Sequence, residues 1–544
     1  MASHAYPVPG YAPQSRRAHP TFMLPAEPPS WGDVHKAKGF RQRIKEWNLQ
    51  VVGDLNALPY VVFVNIAFKL AVYWYVFQRY LMNENLPLFS EENVKRFIIY
   101  NVLGDVLGLN ATGGPLGFRV KYFFCAWYNL LMPGSITCPL IPGWPAKRQI
   151  WQSFGYLAYL YFLVAALRAP QVGFSEVAPI IGTLAVLTPF DFVTFQASRG
   201  EHYGYMLFAC LFPWAQTLPA IRLSQSCLWF FAGTAKMGPW MKYVNAFMMP
   251  NSKIIALLGV FGLPVSKFLY NDLPRDVNPS KYISVLAQLA VIGECSLGPL
   301  CLFLPSVGVP LALAFHTYIL SMTPFASVME WNCYCIFMVL ALFSSGGVDP
   351  GFTGYTIQSF GAALASFDKP LAAFLLLVLL IVPVYGQLQP KNVPFLTAFR
   401  PYAGNWRFTW HIVDNKATEK LRKLKSLEGV FIKENARMLW GANPHFCDQF
   451  EDYFTGNMVF FPHFRPLIPM VEKLQAMKGW GTDDYTMLFN EVRRNAITCH
   501  LDAHTRDPIL TLRSRLYSFM PADFLECNHG MDSWYGLLRP RPLL

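Results

Sequence analysis

Charge is scarce in this sequence. Only 14% of its 544 residues are Asp, Glu, Lys or Arg, against about 25% in a soluble globular protein. So few charges cannot cover a chain of this size with a water-facing surface, and a soluble globular class is excluded. Signals for paired cysteines are missing too. The 11 cysteines contain no Cys-x-x-Cys, and their spacing is not that of a secreted disulfide framework. Cys125, Cys210, Cys227, Cys295, Cys301, Cys333 and Cys335 lie in or beside apolar runs, where a free thiol behaves as a small hydrophobe. No P-loop, Gly-x-Ser-x-Gly, His-Glu-x-x-His or dinucleotide fingerprint occurs in a credible context. Phosphoryl transfer, serine hydrolysis and hydride transfer therefore lack support. The first 35 residues hold no apolar core of a signal peptide.

What is present is apolar and aromatic: 53% hydrophobic residues, 16% Phe, Trp or Tyr. Several runs approach the roughly 20 residues needed to cross a bilayer. They fall at 58–81, 151–168, 178–196, 203–219, 222–237, 281–304, 308–322, 327–345 and 370–386, with 252–270 as a broken candidate. The expected fold is mainly α, a polytopic transmembrane bundle of about eight to ten membrane helices. The net charge of +12 calls for no nucleic acid, because Lys and Arg cluster in the flanks as they do on cytoplasmic sides of membrane proteins.

Three regions follow. Residues 1–57 form a basic arm: a Pro-rich stretch, read as a disordered tail or an arm lying on a partner, then an amphipathic segment at 36–57 suited to an anionic leaflet. Residues 58–386 are the bundle. Within it, 92–109 and 116–132 read as interfacial or re-entrant, 133–145 as an ordered Gly/Pro loop, and Lys69 as a charge in need of a partner or cavity. Residues 387–544 turn polar and read as an extramembrane α+β region, with helical stretches at 416–438 and 483–496 and a strand-like piece at 408–413.

The most informative stretch runs from Arg222 to Met249. Gln225, Trp229 and Lys236 fall on one helical face at about 100° per residue, so amide, indole and ammonium stand in a line. An ionisable group at membrane depth points to a site; the alternative is a lysine snorkelling at a helix end. Glu294 lies near the middle of the 281–304 run, where a carboxylate must pair or be protonated. His316 sits in the next run and Glu330 in the one after. Convergence of Lys236, Glu294 and His316 would make an acid–base cluster, with His316 relaying a proton. The other reading is a Lys–Glu pair and a hydrogen-bonded histidine that hold helices together. Arg199 and His202, in Arg-Gly-Glu-His, read as an interfacial head-group contact or a solvated loop, and Arg222 as a contact to an anionic lipid. His500-Leu501-Asp502-Ala503-His504 has metal-capable side chains but lacks a second ligand pair, so no metal site is assigned.

Two resemblances attach to these residues. Ala232-Gly233-Thr234-Ala235-Lys236-Met237 with Trp240 resembles the Ala-Gly-x-x-Lys-Leu…Trp element of the vitamin-K-dependent carboxylase-like membrane domain, and Gly293-Glu294 and Phe315-His316 are similar to its next two polar positions. That resemblance implies Lys236 as a base toward a reduced quinone. Leu107-Gly108-Leu109, Gly114-Pro115-Leu116, Pro133-Gly134-Ser135-Ile136, Pro142-Gly143-Trp144-Pro145 and Arg199-Gly200-Glu201 are similar to an uncharacterised family of actinobacterial-type transmembrane proteins. The functional expectation is a membrane protein that binds or acts on a quinone- or isoprenoid-type lipid. Its bound group would be a lipid or quinone, and its partners membrane lipids. The alternative is an accessory subunit that meets other subunits through the N-terminal arm and the C-terminal region. A transporter is disfavoured, since no inverted repeat is visible.

Overall fold

The computed structural model describes residues 60–107, 130–134, 148–234, 236–237, 280–322 and 329–388. It also describes short pieces between 137 and 145 and between 241 and 279, two isolated residues at 476 and 479, and strand segments at 409–414, 485–490 and 516–519. The expected N-terminal arm, the 116–129 run, His500–His504 and most of 387–544 lie outside the described residues, as does the side chain of Lys69.

The described chain is mainly helical. α1 covers Tyr60–Val76 and ends in a π-helical turn, Phe77–Leu81. α2 (Glu91–Val106), α3 (Ile150–Arg168), α4 (Phe174–Leu187), α5 (Phe192–Ala197) and α6 (Tyr205–Ala209) precede the long α7, Trp214–Thr234. β1 (Tyr270–Asp272) and β2 (Asp276–Pro279) form an antiparallel pair. α8 (Lys281–Phe303), α9 (Pro305–Met322) and α10 (Met329–Phe343) follow, then α11 (Ile357–Ala365), α12 (Lys369–Leu376) and α13 (Val382–Leu388). Further on, β3 (Thr409–Asp414) pairs antiparallel with both β4 (Tyr485–Asn490) and β5 (Leu516–Phe519).

Among the described residues, two helices, α3 and α8, are long and apolar enough to cross a membrane, and the bent pair Ile357–Ala365 with Lys369–Tyr385 makes a third candidate. The runs at 178–196 and 203–219 do not form single helices. The first breaks between α4 and α5. In the second, α6 stops before Pro213, and α7 starts at Trp214 and carries on through Pro219 into the run at 222–237. Proline lacks the donor for an interior helical bond, so it ends α6, whereas α7 tolerates Pro219 among packed neighbours.

α2 departs furthest from expectation. Rather than lying at an interface it is interior, buried on nearly every turn from Asn93 to Val106. Ser90 caps it through Asn93 N, and Glu91 and Glu92 occupy its first turn. Its charges are spent internally. Lys95 pairs with Glu91 at 2.5 Å and Arg96 with Glu92 at 2.6 Å. Arg96 also donates to the carbonyls of Leu167 and Ala169, closing the C-terminus of α3, whose last carbonyls have no helical partner. Helical periodicity cannot reveal this, because the polar groups are satisfied by other segments rather than by water. Phe97 of α2 meets Phe337 of α10 at 4.1 Å and Phe77 at 4.7 Å between ring centroids. These aromatic contacts join α1, α2 and α10 in one core.

α7 packs along α8 through small residues. A Cβ on Gly298 would lie 2.5 Å from the carbonyl oxygen of Ser226, and one on Gly233 would lie 2.5 Å from Sγ of Cys295. Glycine at both crossings lets the two backbones approach, the packing mode that replaces hydrophobic driving force inside a bilayer.

Candidate functional site

α7 stops at Thr234, and a turn follows in which Lys236 N donates to Gly233 O at 2.9 Å. This end lies opposite the interior of α8. The Lys236 ammonium reaches both carboxylate oxygens of Glu294, at 2.5 and 2.6 Å. Glu294 is 7% exposed at its side chain and Lys236 29%, so the carboxylate is enclosed and the ammonium stays partly open. Two opposite charges in one bidentate contact lower the cost of either alone at low dielectric. Of three ammonium donors, two go to Glu294.

His316 of α9 is buried and engaged elsewhere. Its Nε2 lies 2.9 Å from Nε1 of Trp229, and its Nδ1 lies 2.7 Å from Oδ1 of Asn332 on α10. An indole N–H only donates, so Nε2 must be the unprotonated acceptor. The proton then sits on Nδ1 and is donated to Asn332. His316 is thus a neutral imidazole with both nitrogens in use. Its hydrogen bonds go to Trp229 and Asn332 and not to Lys236 or Glu294, which leaves it no free nitrogen for the proton relay expected from sequence.

The same device recurs nearby. Trp331 Nε1 donates to Nδ1 of His202 at 2.8 Å, and Nε2 of His202 donates to Oε1 of Gln225 at 3.1 Å. Gln225 passes on to Sγ of Cys335 at 3.7 Å. Arg199, left-handed at φ 45°, donates to Asp105 at 2.7 Å, and its guanidinium lies 5.0 Å from the centroid of Trp331. The Arg-Gly-Glu-His segment is therefore not a solvated loop: it joins α2, α7 and α10, with His202 2% exposed. Gln225 and Trp229, four residues apart on α7, share a face, with Gln225 bonded to His202 and Trp229 to His316; Lys236 lies beyond the helix end, where a period of 100° no longer applies.

Arg222 is buried in the N-terminal half of α7. Nε donates to Leu342 O at 2.7 Å, and the terminal nitrogens reach Tyr355 Oη at 3.1 Å and Asp349 Oδ2 at 3.2 Å. Its plane lies 3.6 Å from the Phe352 centroid. Asp349, Phe352 and Tyr355 line a cleft of about 500 Å³ with Trp214, Leu218 and Ala363. Sequence reasoning passed over Asp349, Phe352, Tyr355, Trp331 and Asn332. The available signal was the turn chemistry of Asp349-Pro350-Gly351 and Thr353-Gly354 between two apolar runs. Among the described residues no group of three or more His, Cys, Asp or Glu side chains could hold a metal ion.

No curated protein and no solved structure matches the chain. A family model does match, over residues 88–441, a range that contains every site residue named above. The chain belongs to the family described as transmembrane protein of unknown function (DUF3556).

Proposed function

We propose that this integral membrane protein binds the polar head of a quinone- or isoprenoid-type lipid at the Lys236–Glu294 pair, within a multi-pass, carboxylase-like bundle that carries a docked C-terminal α+β region. One observation supports this above the rest: α7 ends at Thr234, and Lys236 just beyond it pairs with Glu294 of α8 while its own side chain stays 29% exposed. Irregular backbone at membrane depth is tolerated where it is covered by protein or lines a cavity. Discontinuous helices in membranes commonly mark binding positions. A hydroxyl or carbonyl oxygen of the ligand would accept the third Lys236 N–H. Trp229, held by His316, would form a fixed wall, and proton exchange would involve the Lys–Glu pair rather than the histidine.

A second reading draws on a different observation. Glu294, His316, His202 and Gln225 all have their hydrogen-bonding atoms engaged within the bundle, as in a non-catalytic subunit whose polar groups hold helices together.

Native mass spectrometry of detergent-extracted protein separates the two. The comparison is wild type against the double variant Lys236→Met/Glu294→Leu, which removes both charges and leaves neither orphaned. A stoichiometric quinone or isoprenoid lipid that is retained by wild type and missing from the variant supports the binding site. Identical lipids on both forms, with other subunits co-purifying, would leave the structural subunit.

A further inference from the structure

The cleft at Arg222 is separate from the Lys236 pair. Arg222 and Thr234 stand roughly 18 Å apart along α7 at about 1.5 Å per residue. Its level relative to the bilayer follows from α8. Phe303 is the last residue of that membrane helix. Tyr355 N donates to Leu302 O at 2.8 Å, and the Phe303 ring meets Phe360 of α11 at 5.2 Å. α11 is turned 114° from the apolar segment Lys369–Tyr385, buries no residue and leaves Ile357 88% exposed. A short exposed apolar helix bent away from the next apolar segment and touching the end of α8 fits the head-group level better than a continuous span. The cleft opens there, between α7, α11 and the loop 349–355.

Its chemistry is dipolar. Arg222 is only 2% exposed, and Phe352 and the carbonyl of Leu342 hold its orientation. Three of its N–H donors are engaged, out of five in a guanidinium. Beside it, Asp349 is 46% exposed at its side chain. A cation and an anion thus stand 3.2 Å apart at one end of a cleft walled by Trp214 and Leu218. A purely anionic ligand would meet Asp349, and a purely cationic one would meet Arg222. A ligand that carries a phosphate next to a primary ammonium satisfies both.

We propose that this cleft seats the head group of a zwitterionic aminophospholipid. Its phosphate oxygens take the remaining Arg222 donors and its ammonium donates to Asp349, while Trp214 and Leu218 pack on the glycerol and first acyl carbons. The inference does not depend on a ligand at Lys236.

The test is native mass spectrometry of the full chain released from nanodiscs of equal phosphatidylethanolamine, phosphatidylcholine and phosphatidylglycerol. Wild type should retain phosphatidylethanolamine severalfold over the other two, since a trimethylammonium cannot donate to Asp349. Asp349→Asn should lose that preference and shift toward phosphatidylglycerol, because the remaining charge is positive. Wild type needs no variant to fold for the first comparison. Equal retention of all three lipids by wild type would overturn the proposal, as would an unchanged preference in Asp349→Asn. Uptake of soluble glycerophosphoethanolamine in place of lipid, by lipid-depleted protein, would overturn the assignment to the bilayer.

Discussion

Gly233 faces Cys295 so closely that a Cβ at position 233 would sit 2.5 Å from the cysteine sulfur and 2.8 Å from its backbone nitrogen. Three residues along the chain, Lys236 meets Glu294. The ion pair therefore depends on a backbone approach that only glycine permits, and helix packing and electrostatics are tied at this point.

Gly233→Ala should separate α7 from α8 and lengthen the Lys236–Glu294 contact, with a loss of about 1–3 kcal/mol typical of overpacking. Gly293, one residue from Glu294, has nothing within 4 Å of its would-be Cβ, so Gly293→Ala is the matched control and should be near neutral. Thermal unfolding in detergent compares them; equal effects would refute the close-approach argument.

The charges of Lys236 and Glu294 should be strongly coupled. Glu294→Leu or Lys236→Met alone leaves a buried charge without its counterion and should cost about 3 kcal/mol, the lower end for a broken buried pair because the ammonium is part-open. The double variant should recover much of that loss. A double-mutant cycle measures the coupling directly, and additive losses would mean that the pair contributes little.

Two indole donors dictate two opposite imidazole tautomers. Trp229 takes Nε2 of His316, and Trp331 takes Nδ1 of His202. Nitrogen-15 NMR of selectively labelled protein should find the proton of His316 on Nδ1 and that of His202 on Nε2. Trp331→Phe should release His202 from this constraint and leave His316 as it was. The reverse tautomers, or an imidazolium at either position, would contradict the hydrogen-bond assignment.

The loop beneath Arg222 makes unequal demands on its glycines. Gly354 has φ +107°, and an added Cβ would lie 2.7 Å from Phe303 O; Gly351 has φ +85° with open space around it. Both Gly→Ala changes incur backbone strain of about 1–3 kcal/mol, but Gly354→Ala should also displace Tyr355 from Arg222. Retention of phosphatidylethanolamine should fall more in Gly354→Ala than in Gly351→Ala. An equal fall would show that Tyr355 does not position the cleft.

Much of the helical layout was legible in the chain. The runs at 151–168, 281–304, 308–322 and 327–345 correspond closely to α3, α8, α9 and α10, because uninterrupted apolar residues leave the backbone no partner but itself in a bilayer. Lys236 and Glu294 stood out for the same reason: charge in an apolar run demands a partner. The interior place of α2 was not legible. Its Asn, Lys, Arg and Asp residues imitate a water-facing helix, and partners on other segments make it an interior one: the carbonyls of Leu167, Ala169 and Val172, the Arg199 guanidinium on Asp105, and the Tyr73 hydroxyl, which donates to Asn101 at 2.5 Å.

Composition and apolar run length determined by themselves that this is a mainly helical membrane protein with ionisable groups it must satisfy internally, since the cost of leaving charge or backbone unpaired in a bilayer depends on residue type alone. Which group satisfies which was decided only in the tertiary structure. Trp229 rather than Lys236 engages His316, Gln225 turns to His202, and Asp349 finds Arg222 across a loop shaped by two glycines. Hydrogen bonds act over about 3 Å, and the distances that matter arise from where helices end and how closely they pack, which no local spacing encodes.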